Sequence, residues 1–350
     1  MTAIPVQRTR APRPRPADGA LGFGRHFTDH LFRSDWTAEA GWHGAGVVPY
    51  AALSVDPAVS ALHYGQSIFE GLKVFRRPDG GLALFRPRAH AERFARSARR
   101  LAMPVVEPAL LLAGVRALVR EDADWMPRAP GTAFYVRPLL FASEAFLGVR
   151  ASRSYTLLVF LSPVGAYFSG EKPLRIWAER SRARAAPGGI GAAKTAANYV
   201  ASLLPAEEAK ARGFDQVLWL DAAERRWVEE IGTMNFFARL GGTLVTPPLG
   251  GTILAGVTRD SVLTLARRRG LPVEERPVAL DELASAHRAG RLEELFGTGT
   301  AAVVSPIGEL AWDEESLRLP APRVSLALRD ELTAIQRGEA PDAFGWLEAV

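Results

Sequence analysis

The stretch Gly188–Tyr199, "GGIGAAKTAANY", sets Lys194 among glycines and alanines. Lysine is scarce in this chain and occurs only at Lys73, Lys172, Lys194 and Lys210. Two chemistries suit an amine whose neighbours have so little side chain. One is a phosphate loop of the form G-x-x-x-x-G-K-[ST], with "QVLWLD" as the later strand whose aspartate holds magnesium. "GGIGAAKT" departs from it at Ala193, where a Cβ obstructs the wrap of backbone N–H groups around a phosphate. The preceding "LRIWAERSRA" also carries several charges, unlike a strand buried on both faces. The other chemistry is a lysine that condenses with an aldehyde, where small neighbours let a flat cofactor approach. The plain alternative is a solvated lysine at the mouth of a flexible loop.

Pyridoxal phosphate is such an aldehyde, and it makes three further demands. Its phosphate wants helix N-termini, hydroxyls and an arginine. Its pyridine nitrogen wants a carboxylate, and its phenolic oxygen a hydrogen-bond donor. Candidates exist for each: "ILAGVTRDS" and "FGTGTA" for phosphate, "EEIGTMN" for the carboxylate, and Tyr199 for the phenolic oxygen.

These groups need a scaffold. The chain alternates short β-rich runs with helical periods, which predicts a mixed α/β or α+β architecture. "LHYGQSIFEGLKVFRR", "LALFRP", "TAFYVRPLLFAS", "SYTLLVFLSPVG", "LRIWAERSRA", "DQVLWLD", "WVEE" and "MNFFARL" read as strands. "PRAHAERFARSARRLAMP", "PALLLAGVRALVREDADWM", "TRDSVLTLARRRG" and "LDELASAHRAG" read as helices, as does "NYVASLLPAEEAKARG" despite Pro205. Two domains result: a small N-terminal one over 21–163 and a large one over 174–350, joined by a loop over 164–173. Residues 1–20, with alternating Arg-Pro steps, read as an extended, disordered arm.

Composition narrows the classes. At 350 residues, 48% hydrophobic and 23% charged, the sequence is that of a soluble globular protein, with no apolar run of the ~18 residues a membrane span needs. The net charge of +5 is scattered, and runs such as "ARRRG" and "RSARR" read as solvated helix faces, so no nucleic-acid surface is expected. The N-terminus lacks the apolar core of a secretory signal. Cysteine is absent, which excludes disulfides and thiolate sites and fits a cytoplasmic location. His26 and His30 in "HFTDH" have metal-like spacing, but a third ligand is missing and the segment reads as a strand, so no metal is expected.

At this point the chain resembles a family. "FGRHFTDH", "LHYGQSIFEGLKVF", "LFRP", "YVRP", "LGV", "PVGAYF", "KTAANY", "QVLWLD", "EIGTMN", "GVTRDS" and "FGTGTA" occur in the order and approximate spacing of the branched-chain amino acid aminotransferases, the fold type IV pyridoxal-phosphate enzymes. The match runs from Phe23 to the C-terminus. It implies the two-domain D-amino-acid-aminotransferase-like fold with an active site between the domains. It makes Lys194 the residue that carries the cofactor and shuttles the proton. Glu230 would pair with the pyridine nitrogen and Tyr199 with the phenolic oxygen. Arg86, Val257, Thr258 and Thr300 would bind phosphate, and Thr233 would lie near cofactor and substrate. Phe23, Tyr64, Phe69 and Tyr135 would wall an apolar pocket covered by Tyr167. Thr300 and Ala301 would meet the α-carboxylate and Arg137 the distal carboxylate of glutamate. Leu147 and Val149 would reach a partner subunit's pocket, implying a homodimer. Ala302 and Ser305 stand where some relatives have a cysteine pair, so thiol redox control is not expected.

The reaction so implied is transamination of L-leucine, L-isoleucine and L-valine with 2-oxoglutarate, giving 2-oxo acids and L-glutamate by a ping-pong route through pyridoxamine phosphate. One pocket must then hold both an alkyl side chain, whose burial contributes roughly 1.5–3 kcal/mol, and a carboxylate, which needs an arginine or tyrosines. The rivals are the same fold and cofactor with another, specialised amino acid, a P-loop-like nucleotide-binding protein, and a catalytically silent binder.

Overall fold

A computed structural model of the chain describes residues 3–165 and 172–350. The chain divides into two units: Met1–Tyr167 with Ala193–Ala196 and Ile335–Val350, and Phe168–Ala192 with Ala197–Ala334. The second and third segments of the first unit come from far along the sequence, which local patterns do not reveal.

In the first unit the strands are β1 (His30–Thr37), β2 (Gly41–Pro49), β3 (Ser67–Phe69), β4 (Leu72–Arg76), β5 (Leu82–Phe85), β6 (Ala133–Ala142) and β7 (Ser154–Val164). The helices are α1 (Ser60–Tyr64), α2 (Pro87–Arg100) and α3 (Pro108–Glu121). The sheet order is β5-β4-β6-β7-β1-β2, antiparallel throughout, with Leu347–Ala349 against β5 and β3 beside β6. Phe134, Val136 and Leu140 of β6, with Leu157, Val159 and Leu161 of β7, share a core with Phe94 of α2 and Val115 and Leu118 of α3. The alternate residues Tyr135, Arg137, Phe160 and Ser162 therefore fall on the opposite face. Pro87 and Pro108 open their helices, where a missing N–H costs nothing.

The remaining strands are β8 (Leu174–Glu179), β9 (Gln216–Leu220), β10 (Val228–Ile231), β11 (Met234–Leu240), β12 (Thr243–Thr246), β13 (Val273–Glu275), β14 (Leu292–Gly299), β15 (Val303–Trp312) and β16 (Glu315–Arg318). The helices are α4 (Ala196–Val200), α5 (Leu203–Ala211), α6 (Val257–Arg268), α7 (Leu280–Arg288) and α8 (Val324–Gln336). Because β10 pairs with both β9 and β11, the order β10-β9-β8-β15-β14-β11 closes on itself as a six-stranded barrel. Ile176, Leu218, Ile231, Phe236, Leu295 and Ile307 belong to its core.

Four local expectations need correction. "LHY" is the end of helix α1, closed by Gly65 in the left-handed region, rather than strand. The helix expected over "NYVASLLPAEEAKARG" is broken into α4 and α5, which puts Pro205 in the first turn of α5, where it disrupts no bond. Residues 3–17 are extended but tied down, not disordered, and Asp18–Ala20 form a short 3-10 helix. Gln7 N–H donates to Val47 O at 2.8 Å, Val47 N–H to Pro5 O at 2.9 Å and Arg13 N–H to Asp29 Oδ1 at 2.7 Å, while the Arg13 guanidinium covers the Tyr50 ring. Prolines pre-set that extended form, so little entropy is lost on docking it. His26 lies ahead of β1, in irregular chain after the turn at 22–24 and not in a strand. It faces Ala20 O, whereas buried His30 is held between Asp122 and the Thr9 N–H. Among the described residues no group of three metal-ligating side chains gathers, and no helix is long and apolar enough to cross a membrane.

Candidate active site

Lys194 is fixed by its backbone. Its N–H donates to Ser97 Oγ of α2 at 2.9 Å, and its C=O accepts from Phe69 N–H at 3.0 Å. Thr195 forms a bridge with Ile68, and its hydroxyl donates to Ser67 O at 2.7 Å. Ala193 and Thr195 are buried, so small neighbours let this backbone pack against β3. The strand-to-helix lysine of a P-loop is not what forms: Thr195 pairs as strand, and the helix after it has five residues.

The Lys194 amine lies 4.8 Å from the centroid of the Phe69 ring, and the Arg137 guanidinium lies 4.9 Å from the same ring. Arg137 Nη2 donates to the Tyr135 hydroxyl at 3.2 Å, and Phe23 packs edge-on against Tyr135 at 4.9 Å. Among the described residues, Arg137 Nε is buried with no hydrogen-bond partner, as is the hydroxyl of Ser162, which stands opposite Tyr135 in the sheet. Buried donors of this kind suit an acceptor on a bound molecule. Gly71 makes room for the Tyr135 ring: a Cβ there would sit 1.8 Å from its hydroxyl oxygen.

Helix α2 supports this corner from behind. His90, Arg93 and Ser97 follow Arg86 at helical spacing and point inward. Arg93 donates to both oxygens of Glu70, at 2.6 and 3.0 Å, and Glu70 Oε1 accepts the Gly71 N–H at 3.2 Å. Burial alone would raise the Glu70 carboxyl, but Arg93 and His90 outweigh it and hold it well below the usual carboxylate range. Burial pushes His90 below the usual imidazole range, and the nearby charges of Arg93 and Lys194 push the same way against Glu70. Arg86 caps the helix in the left-handed region, φ 48°.

Tyr64 is 48% exposed and donates to Leu147 O at 2.6 Å, and Leu147 and Val149 are 60% and 85% exposed. Tyr167 lies outside the described residues.

In the second unit Glu230 of β10, Asn235 of β11 and Thr298 of β14 form one row across the barrel wall. Glu230 Oε1 accepts from Leu254 N–H at 2.9 Å and Asn235 Nδ2 at 3.2 Å, and Glu230 Oε2 lies 3.2 Å from Arg184 Nε. Its neighbour Glu229 points elsewhere in the strand, and burial pushes its carboxyl up. The Thr298 hydroxyl is buried without a partner among the described residues. Val257 and Thr258 begin α6, whose first N–H groups have no partner within the helix. Gly256 before them is required, since a Cβ would lie 1.9 Å from Asn235 Oδ1. Thr300 and Ala301 form the β14–β15 turn, which ends on Val303 at φ 59°, strained for a β-branched residue. Thr233 is exposed on the two-residue β10–β11 turn, and Tyr199 is half-buried on α4. Chemically, this unit offers a carboxylate for a protonated ring nitrogen and N–H and hydroxyl donors for a phosphate.

Ser97, Arg184 and Trp346, the last beneath Arg86, escaped the sequence reading. Ser97 carried a signal, a polar residue on the apolar stripe of α2. The other two had none.

Comparison with known proteins gives the chain's family and fold. Residues 67–310 match the amino-transferase class IV family. The chain is 47% identical over 351 residues to branched-chain-amino-acid aminotransferase 2 of Bacillus subtilis, covering 99% of this chain and 97% of that protein. The crystal structure of Escherichia coli branched-chain amino acid aminotransferase superposes with a TM-score of 0.77 at 28% identity, covering 91% of this chain and 98% of that one. A T.th. branched-chain amino acid aminotransferase complexed with N-(5′-phosphopyridoxyl)-L-glutamate superposes at a TM-score of 0.74 and 28% identity, covering 90% of this chain and 97% of that one.

Proposed function

The chain belongs to the class IV aminotransferases, on their branched-chain-amino-acid branch, and on that premise we propose that it transaminates L-leucine, L-isoleucine and L-valine with 2-oxoglutarate, using pyridoxal 5′-phosphate in a ping-pong cycle. The observation that carries this reading is the pair of cations on one Phe69 ring: an amine able to move a proton and, beside it, a guanidinium whose buried Nε–H has no partner among the described residues.

The residues present suit the cofactor. The Thr298 hydroxyl, buried with no partner among the described residues, the fixed Glu230 carboxylate and the start of α6 after Gly256 are groups that suit a protonated ring bearing a phosphate. When bound, pyridoxal phosphate supplies an electron sink for the carbanion left by proton removal. Lys194 Nζ holds it and takes the substrate's α-proton. Glu230 keeps the ring nitrogen protonated, and Tyr199 donates to the phenolic oxygen. Arg86, Thr300 and the N–H groups at Val257 and Thr258 hold the phosphate, with Thr233 beside the ring. Phe23, Tyr64, Phe69 and Tyr135 pack the alkyl side chain, and Thr300 and Ala301 receive the α-carboxylate. Arg137 Nε and Nη donors take the distal carboxylate of glutamate.

The exposed Leu147 and Val149, with Tyr64 beneath them, suit burial against a second copy, so the working form is a homodimer, located in the cytoplasm. Initial rates over a grid of leucine and 2-oxoglutarate concentrations test the reading. Parallel double-reciprocal lines support it. Intersecting lines, which require both substrates on the enzyme at once, overturn it.

A further inference from the structure

Arg86 occupies an expensive conformation. It is neither glycine nor asparagine, yet its φ of 48° and ψ of 46° put it in the left-handed region immediately before Pro87. Such a residue persists only where its surroundings hold it. Here the holding comes from the last residues of the chain. Leu347 and Ala349 pair with Phe85 and Ala83, which brings the C-terminal strand alongside β5. One step on, Arg86 N–H donates to Trp346 O at 2.6 Å. The Arg86 guanidinium then lies 5.1 Å from the Trp346 ring centroid. Trp346 is itself held: it is 8% exposed, stacks on Phe344 at 4.4 Å and meets Phe85 edge-on at 5.6 Å. The indole is therefore a rigid floor under a long, flexible side chain.

We propose that Trp346 is a positioning residue for Arg86, so that the C-terminal strand sets the enzyme's grip on phosphate. The inference rests on the reading of Arg86 as a phosphate ligand. A planar indole under the guanidinium restricts its rotamers, and because the contact uses the flat face, the N–H groups in the guanidinium plane keep their capacity to donate to a phosphate. Loss of the floor costs phosphate affinity and leaves the chemistry at Lys194 untouched, because the Trp346 ring packs on Phe85, Phe344 and Arg86, away from the ring of Phe69 that Lys194 and Arg137 share.

The experiment compares Trp346→Leu and Trp346→Phe with the parent enzyme, with Arg86→Gln alongside. Two readings are taken: the Kd for pyridoxal phosphate, by spectral titration of the stripped protein, and the rise in Tm that inorganic phosphate gives that protein. Trp346→Leu is expected to weaken cofactor binding about tenfold and to shrink the phosphate-induced rise. Its kcat at saturating cofactor stays within about twofold of the parent. Trp346→Phe, which keeps an aromatic floor, restores most of both. If Trp346→Leu binds cofactor and phosphate like the parent while Arg86→Gln does not, the proposal fails and the phosphate role of Arg86 stands. If Arg86→Gln also changes nothing, both fail. An equal fall of kcat in both tryptophan variants makes Trp346 merely structural and also overturns the proposal.

Discussion

Ser97 Oγ accepts the backbone N–H of Lys194 at 2.9 Å, so helix α2 holds the main chain of the one lysine with chemistry to do. Removing that acceptor leaves a buried N–H unanswered, at a cost of about 1–3 kcal/mol. Ser97→Ala should lower kcat about tenfold or more with KM for leucine little changed, and Ser97→Thr should recover most of the loss. Steady-state kinetics of the three proteins decides it. A rise in KM with kcat intact would contradict the assigned role.

Gly71 and Tyr135 compete for the same space. A Cβ at residue 71 would lie 1.8 Å from the Tyr135 hydroxyl oxygen and 2.5 Å from Cζ. Gly71→Ala must therefore displace the ring, with its hydrogen bond to Arg137. We expect a loss of about 1–3 kcal/mol in stability and a fall in activity, with Tyr135→Phe in the same chain restoring only part of the stability because the ring carbon still clashes. Thermal unfolding of the single and double variants checks this.

Arg137 should separate the two half-reactions. Arg137→Leu removes the charged donors and leaves an apolar surface beside Phe69. We expect kcat/KM for 2-oxoglutarate and glutamate to fall roughly 10–100-fold, and that for leucine to change within a few-fold. Single-turnover rates for each substrate measure the difference. Equal losses would move the carboxylate site elsewhere.

Lys73 gives a pH signature. Burial first, and then the charge of Arg337, push its amine from 10.5 down to about 8. Between those values the unfolded chain holds the proton more tightly, so stability rises with pH through that window. Below about pH 8 the buried charge exerts its full cost. Lys73→Met should therefore be more stable than the parent at pH 7, with an advantage that shrinks as pH rises from about 8 toward 10.5. Unfolding curves of both proteins from pH 6 to 10.5 give the comparison, and a pH-independent difference would contradict the assignment.

Much of the scaffold is legible in the sequence, and the reasons are local. β6 and β7 are long runs rich in aromatic, leucine and valine residues, and α2 and α3 carry apolar stripes behind an opening proline, so local patterns find them. Helix α1 is too short for any period to register, and Pro205 marks a helix start that reads in sequence as a tolerated interruption. Barrel closure depends on β10 pairing on both sides, and no local pattern encodes a second partner. Within the site, Lys194 announces itself because its small neighbours are unusual. Arg184 and Trp346 stay hidden, because an arginine among arginines and a lone tryptophan near the C-terminus acquire meaning only from what they touch.

The role of Lys194 is tested by the visible spectrum of the cofactor-loaded protein before and after L-leucine, and again after 2-oxoglutarate, with Lys194→Ala in parallel. In the parent the cofactor's long-wavelength band should fall on adding leucine and return with 2-oxoglutarate. The variant should bind the cofactor yet fail to complete this cycle. A parent band that ignores leucine, or a variant that cycles at the parent's rate, would contradict the assignment of Lys194 as the proton-moving amine of a branched-chain transaminase.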